Sequence, residues 1–467
     1  MKNILKIVLS ILTIILSIIC IFTIKGLNML PNKYFIIFVS IMILFNLIGL
    51  LLYAKKKWLN IIGLVISIIT IIVSIIGYYY GSETIDYLKH SFNNDSVEIS
   101  EYGLYVLKKN NFELNNIKNF GYLNDEFAEK AVKELKSRTN AEELSYDDMY
   151  TLSNDLKDNK LNSMLLDKTY YNMLLDENEI SEDDVKLIYS FNIEIKKKVT
   201  KQNVDTLKPF NIFLSGSDAR SNYIASKTRS DVNMIISVDP KEKTILLTSI
   251  PRDYYVSVYG KTGLKDKLTH AGIYGIDTSV KTVENLFDIN IDYYIKVGFS
   301  SVIEVVNLID GIDIESDKAF VSHCGDGGAI KTNVKKGMNH FNGGEALSYA
   351  RERYAYALGD RHRILNQQQV LEAVINKVTT DKSILLKYDK LLKSLSKLYK
   401  TNIPSELISL LVKNQLEDMS GYKIERQSVS GSDASMNTYT APSKKRYVMI
   451  PYEKDVKKAS ENIKKYA

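Results

Sequence analysis

Three neighbouring stretches decide the fold: NIFLSGSDAR (residues 211–220), TRSDVNMIISVD (228–239) and LLTSIPRDYYV (246–256). Each is a short run rich in Ile, Val, Leu or Phe that ends in Ser, Asp, Arg or Pro, the texture of buried strands separated by polar turns. They predict strands over residues 211–215, 232–238 and 244–250, with another over 292–297. Apolar residues then recur at helical spacing over 278–287, 300–308, 344–350 and 364–378. Strands that alternate with helices argue for an α/β domain, a three-layer α-β-α arrangement around a central sheet.

Upstream, residues 81–205 contain no Pro and only three Gly (Gly81, Gly103 and Gly121), with apolar positions such as Leu161, Met164, Leu165 and Leu175 at near-helical spacing. A small, mainly helical accessory domain is predicted there, without metal-ligand or catalytic spacing. Downstream, residues 381–467 read as amphipathic helix followed by a mixed segment around 446–451 that packs on the α/β domain. The predicted division is therefore 1–80, 81–205, 206–380 and 381–467.

Residues 4–24, 34–54 and 58–80 are apolar runs, the first broken only by Lys6 and the other two without charge. At about 1.5 Å of rise per residue each helix spans a ~30 Å hydrocarbon core. Lys2 and Lys6 precede the first run and Lys55, Lys56 and Lys57 fill the second turn, so the positive-inside rule predicts a cytoplasmic N-terminus. Three crossings then put everything after Tyr80 outside. The 467-residue chain has a net charge of +6, which divides into +7 over residues 1–80, −9 over 81–205 and +8 over 206–467. Such compartments are unlike a uniformly basic nucleic-acid binder. The two Cys, Cys20 and Cys324, allow no disulfide framework, and His323 beside Cys324 reads as incidental.

The chemistry gathers at strand ends, where α/β sheets bind ligands. Asp218 and Arg220 follow the first strand, and Arg229 and Asp231 lead into the second. Asp218 and Asp231 suit Mg²⁺, which takes one or two carboxylates together with phosphate oxygens and water, although each alone also fits an ordinary turn residue. Arg252 leaves the third strand after Pro251, which cannot donate to a ladder. Arg351 and Arg353 reach one ligand only if their helix ends between them and the next turn. Asp360, Arg361, Arg363, Gln367 and Gln368 follow. Repeated Arg, rather than Lys, suits a pyrophosphate through its planar fork, whereas isolated surface ion pairs would serve no ligand. No phosphate-binding glycine loop, nucleophile elbow or zinc spacing occurs.

With the further runs TVENLFDINIDYYIKVGFSSVIEVVNLIDGIDI (282–314), KKGMNHFNGGEALSYARERY (335–354) and GDRHRILNQQQ (359–369), the chain resembles the LytR-CpsA-Psr family over roughly residues 209–378. The three spans and the insert resemble capsule-type members. The resemblance implies a phosphotransferase that moves an anionic glycopolymer (teichoic acid, capsule polymer or similar) from a polyprenyl-pyrophosphate carrier to peptidoglycan, with Mg²⁺ at the pyrophosphate. It implies Asp218 and Asp231 as metal-linked carboxylates and Arg229, Arg252, Arg351, Arg353, Arg363 and Gln367 as pyrophosphate-gripping residues, with Asp360 beside them. Lys267 matches a lysine usual in such members. Asn366 stands where the family commonly has Arg, so Arg361 or a Lys is expected to compensate. Asp360 or Asp253 is the expected general base, and the accessory domain is an expected docking point for polymer-synthesis machinery. A non-catalytic binder that presents lipid-linked polymer, and a pyrophosphate hydrolase, are the alternatives. A transcriptional regulator would need a cytoplasmic DNA-reading helix, which the inward-facing termini and turn do not supply.

Overall fold

The computed structural model describes residues 2–53, 57–92, 96–197, 204, 206–217, 227–322, 331–357, 359–387 and 399–466. Helices α1 (Lys2–Leu27), α2 (Asn32–Leu52) and α3 (Lys57–Phe92) come first. Among the described residues these three are long and apolar enough to cross a membrane. The third outruns its apolar stretch: its 36 residues extend about 54 Å, well beyond a ~30 Å hydrocarbon core. Its far end meets the folded domains, where the Tyr87 hydroxyl lies 3.2 Å from that of Tyr399. The α1–α2 turn reaches the same region, with Lys33 Nζ donating to the Glu417 carbonyl at 2.6 Å.

The accessory domain corrects the helical expectation. It runs β1 (Ser96–Leu107), β2 (Asn119–Leu123), α4 (Ala128–Lys136), β3 (Glu142–Tyr146), α5 (Met149–Lys157), β4 (Ser163–Asp167), α6 (Lys168–Asp176) and β5 (Val185–Lys197). The strands form one sheet in the order β3-β2-β4-β1-β5. Scarce Gly and Pro exclude tight hairpins, but most of these strands connect through helices, which require neither residue. Leu165, read as helical, lies in β4, a five-residue strand buried throughout. A run that short has no periodicity to separate strand from helix. The helices end the ambiguity locally: Asp148 caps α5 and Asp167 caps α6, each side chain accepting first-turn N–H groups.

The main domain opens with β6 (Phe210–Ser217), β7 (Val232–Asp239) and β8 (Thr244–Ile250), and a small ribbon of β9 (Tyr255–Val256) and β10 (Asp266–Lys267). There follow α7 (Leu268–Ala271), α8 (Ile276–Phe287), β11 (Tyr293–Gly298), α9 (Phe299–Leu308), β12 (Ile312–Ser316), β13 (Phe320–Val321), β14 (Asn333–Val334), β15 (Gly337–Phe341), α10 (Gly343–Arg351) and α11 (Asp360–Thr380). The chain closes with β16 (Tyr399–Thr401), α12 (Ser405–Asp418), β17 (Lys423–Ser428), β18 (Gly431–Met436), β19 (Arg446–Pro451) and α13 (Glu453–Tyr466). The central sheet has the order β16-β11-β6-β7-β8-β17.

Alternate residues of its strands enter two cores. Phe213, Ile235 and Leu246 pack with α7, α8 and α13, while Ile212, Met234 and Leu247 pack with α11 and α12. Burial on both faces explains why the strands are nearly continuous apolar runs. The stretch 381–467 does more than pack on this domain, because β16 and β17 are the two outer strands of its sheet. Its sequence concealed β17, an edge strand of mostly polar residues, KIERQS. β6 and β11 pair in parallel, as do β8 and β17, and β7 runs antiparallel between β6 and β8. The C-terminal ends of β6, β8, β11 and β17 therefore share one edge of the sheet with the start of β7.

Candidate active site

That edge assembles the polar residues. Asp231 immediately precedes β7, and its N–H donates to the Gly216 carbonyl at 2.8 Å, tying it to the end of β6. The segment before it is held from two sides. Ser230 N–H donates to the Thr269 carbonyl at 3.0 Å and Thr228 N–H to the Gly272 carbonyl at 3.2 Å. Gly272 is required by this approach, since a Cβ there would stand 2.4 Å from the Thr228 carbonyl oxygen. From the accessory domain, Phe127 lies under the Lys227 ammonium at 3.7 Å and Glu126 pairs with it at 3.2 Å.

Asp231 is nearly buried, and one of its oxygens accepts from Arg252 Nη1 at 2.7 Å. Burial opposes ionisation, but the charges of Arg229, Arg252 and Arg363 outweigh it and hold the carboxyl below its ordinary pKa. Arg252 Nε also lies 3.5 Å from Asp253, whose other oxygen is 3.2 Å from Lys267 Nζ. Asp253 thus links the strand exit to the β9–β10 ribbon. Arg351 is the last residue of α10, and its guanidinium lies 4.5 Å from the Phe299 ring centre. The chain then leaves the helix around Glu352, a fully buried carboxylate that accepts from the N–H groups of Tyr354 and Ala355 at 2.6 and 3.0 Å. This turn lets Arg353 line the same cavity as Arg351.

The cavity has a volume of about 270 Å³. Asp231, Arg252, Arg351, Arg353, Arg363 and Gln367 supply its polar part. Its remaining walls are apolar, with Leu214 and Met234 from the sheet, Val302 and Val305 from α9, and Leu371 and Val374 from α11. On α11 the sequence Arg363, Gln367, Val370, Leu371, Val374 follows one helical face from charged to apolar.

Of the other residues singled out from sequence, Arg229 acts on Asp231 through its charge, while Lys267 and Asp253 pair beside Arg252. Asp360 is the first residue of α11, after Gly359 with φ of 50°. Asp218, Arg220, His323 and Cys324 lie outside the described residues. Arg361 does not join the cavity; it donates to the Gly431 carbonyl at 3.1 Å and lies 3.5 Å from Asp433. Asn366 is fully buried against α10, donating to the Tyr349 carbonyl at 3.1 Å. Sequence reasoning missed Glu352 and the valines of α9. A carboxylate between two arginines and the VIEVV pattern were the available signals.

A hard cation finds a carboxylate oxygen at this edge: Asp231 Oδ2 is buried and has no hydrogen-bond partner among the described residues. No group of three or more His, Cys, Asp or Glu that could hold a metal occurs among them. One carboxylate oxygen beside an arginine-lined cavity fits Mg²⁺, which binds few protein ligands and keeps several waters.

A model of the LytR_cpsA_psr family matches residues 168–462. The polyisoprenyl-teichoic acid–peptidoglycan teichoic acid transferase TagU of Bacillus cereus is 36% identical over 219 residues, 47% of this chain and 68% of that protein. TagU of Bacillus licheniformis is 36% identical over 235 residues, 50% of this chain and 71% of that protein. Among solved structures, TagV of B. subtilis is 32% identical with a TM-score of 0.46, covering 56% of this chain and 98% of its own. The chain belongs to the LytR_cpsA_psr family.

Proposed function

We propose that the chain is a membrane-anchored transferase that moves an anionic glycopolymer, a teichoic acid or similar, from a polyprenyl-pyrophosphate carrier to peptidoglycan. The observation that carries this reading is one cavity with four arginines, Arg252, Arg351, Arg353 and Arg363, at its polar end and an apolar interior. A polyprenyl pyrophosphate has the same division, a doubly charged head on a hydrocarbon tail. The names of the relatives, which include teichoic acid and peptidoglycan, support the same donor and acceptor classes.

In the proposed reaction an acceptor sugar hydroxyl attacks the polymer-linked phosphorus. The bond from that phosphorus to the bridging oxygen breaks, and polyprenyl phosphate leaves with the negative charge. Arg252, Arg351, Arg353 and Arg363 stabilise that charge, and one such donor in a water-poor site contributes about 3 kcal/mol. The hydroxyl proton passes to a carboxylate, either Asp360 at the start of α11 or Asp253 between Arg252 and Lys267. Asp231, with Asp218, would hold Mg²⁺, which when bound neutralises phosphate oxygens. The lysine distribution supports a cytoplasmic N-terminus, with the domains on the outer face where peptidoglycan is built.

The test is reconstitution of the purified full chain with carrier-linked polymer, acceptor glycan and Mg²⁺. Transfer without any further protein is the expected result. Donor binding without transfer would favour a presenting module, and release of free polymer would favour a hydrolase.

A further inference from the structure

Helix α11 is a wall with a cavity on each side. Beyond the face already described, His362, Leu365, Gln369, Glu372 and Asn376 line a second cleft of about 860 Å³, within the ~300–1,000 Å³ range of ordinary ligand sites. Its opposite walls are the β12–β15 pair and the edge strand β17. β12 alternates: Ile312, Ile314 and Ser316 are buried and Asp313 and Glu315 exposed, and residues 313–316 all border the cleft. Gln368 fixes α11 to the sheet, donating to the carbonyls of Leu247 at 3.3 Å and Gln427 at 2.7 Å. It is fully buried, lines the cleft, and its Oε1 has no hydrogen-bond partner among the described residues. Asn376 brings a side-chain amide to the same wall, two turns further along α11.

The charge of this cleft is opposite to that of the donor cavity. Among its lining residues Asp313, Glu315, Asp317 and Glu372 outnumber Lys336 and Arg426; Arg426 is paired with Glu372 at 3.3 Å, Asp313 with His340 at 2.7 Å, and Asp317 accepts from the Tyr356 hydroxyl at 3.1 Å. An anionic polymer is repelled there, whereas an uncharged chain of hydroxyl and amide groups finds carboxylate acceptors and amide partners. The two cavities flank the first turn of α11. His362 lines the cleft and the next residue, Arg363, lines the donor cavity. Ser428, at the cleft's end of β17, sits opposite Ser249, just before Arg252 leaves β8.

We infer that this cleft holds the acceptor glycan, a neutral chain of amide-bearing sugars, and delivers its hydroxyl over the first turn of α11 to the donor phosphorus. The inference rests on the transferase reading above and assigns the acceptor to a site separate from the carrier. Asn376→Trp narrows the cleft from the helix, and Glu315→Trp narrows it from an exposed strand position that tolerates bulk. The probe is the uncharged tetramer of β-1,4-linked N-acetylglucosamine, titrated into the full chain in lipid nanodiscs, alongside transfer kinetics. Wild type is expected to bind the tetramer, and each variant to weaken binding and raise the acceptor KM at least about tenfold, leaving the donor KM unchanged. Arg252→Lys is expected to leave tetramer binding intact. Absence of binding by wild type, unchanged binding in both tryptophan variants, or loss of binding in Arg252→Lys would overturn the assignment. If no transfer occurs in any form but the tryptophan variants still lose the tetramer, the transferase reading fails and the glycan cleft stands.

Discussion

At the scale of single residues, the proposed site is expected to depend on the fork of an arginine more than on its charge. Arg252 contacts Asp231 through Nη1 at 2.7 Å and approaches Asp253 through Nε at 3.5 Å, so its plane is fixed before any phosphate arrives. Lysine keeps the charge and loses that plane. Arg252→Lys is therefore expected to lower the transfer rate at least tenfold, about 1.4 kcal/mol of transition-state stabilisation, with a smaller effect on carrier binding. Equal losses in both would mark uniform ground-state binding. Asp231 makes a separate prediction about pH. Burial raises its pKa, but Arg229, Arg252 and Arg363 bring it below the ordinary ~3.9. A carboxylate with a depressed folded pKa contributes stability that is complete above its unfolded value and is lost as pH falls through the folded one. The stability difference between wild type and Asp231→Asn, measured by denaturant unfolding in micelles, should be constant from about pH 5 to 8 and shrink below about pH 4. A wild-type advantage that falls as pH rises from 5 to 8 would mean that burial prevails.

Among the elements, α9 and α11 build the apolar interior, and Val305 stands on α9 where it enters the cavity. Val305→Phe should shorten that interior. Its expected signature is a selective fall in kcat/KM for long polyprenyl carriers with carriers of two or three isoprene units spared, measured across a chain-length series; an equal fall for all lengths would place the tail elsewhere. The elements of the main domain were largely legible because their runs are long, doubly buried or periodic: Val232–Asp239 begins where the predicted strand does, and Ile276–Phe287 begins two residues before the predicted helix. The arginines were legible for another reason, since Arg252 follows a proline at a strand exit and Arg353 follows a helix end. What the sequence concealed has physical causes. β4 is too short to show a period, β17 is a polar edge, and the burial of Glu352 is marked only by the two arginines that flank it. Cavity walls depend on which helices approach one another, and the pattern of α9 alone does not state its partner.

For the whole molecule, the membrane helices, the accessory domain and the catalytic domain form a connected chain of contacts. Arg446 of β19 pairs with Glu177 at 2.7 Å and Glu179 at 3.0 Å, and Lys227 carries accessory-domain contacts to the segment holding Asp231. An outward orientation of these domains is expected to expose them to protease added to intact protoplasts, leaving a protected fragment of the first three helices. Protection of the entire region after α3 would reverse the proposed topology. The central claim, a transfer at phosphorus from a carrier held in the arginine-lined cavity, is tested most directly by following the polymer-linked phosphorus. A donor labelled at that atom is incubated with the full chain, Mg²⁺ and acceptor glycan, and both products are identified. The label should appear covalently in the glycan, with polyprenyl monophosphate released in equal amount, and both should fall together in Arg252→Lys. Label recovered on free polymer, or polyprenyl pyrophosphate released intact, would contradict the account.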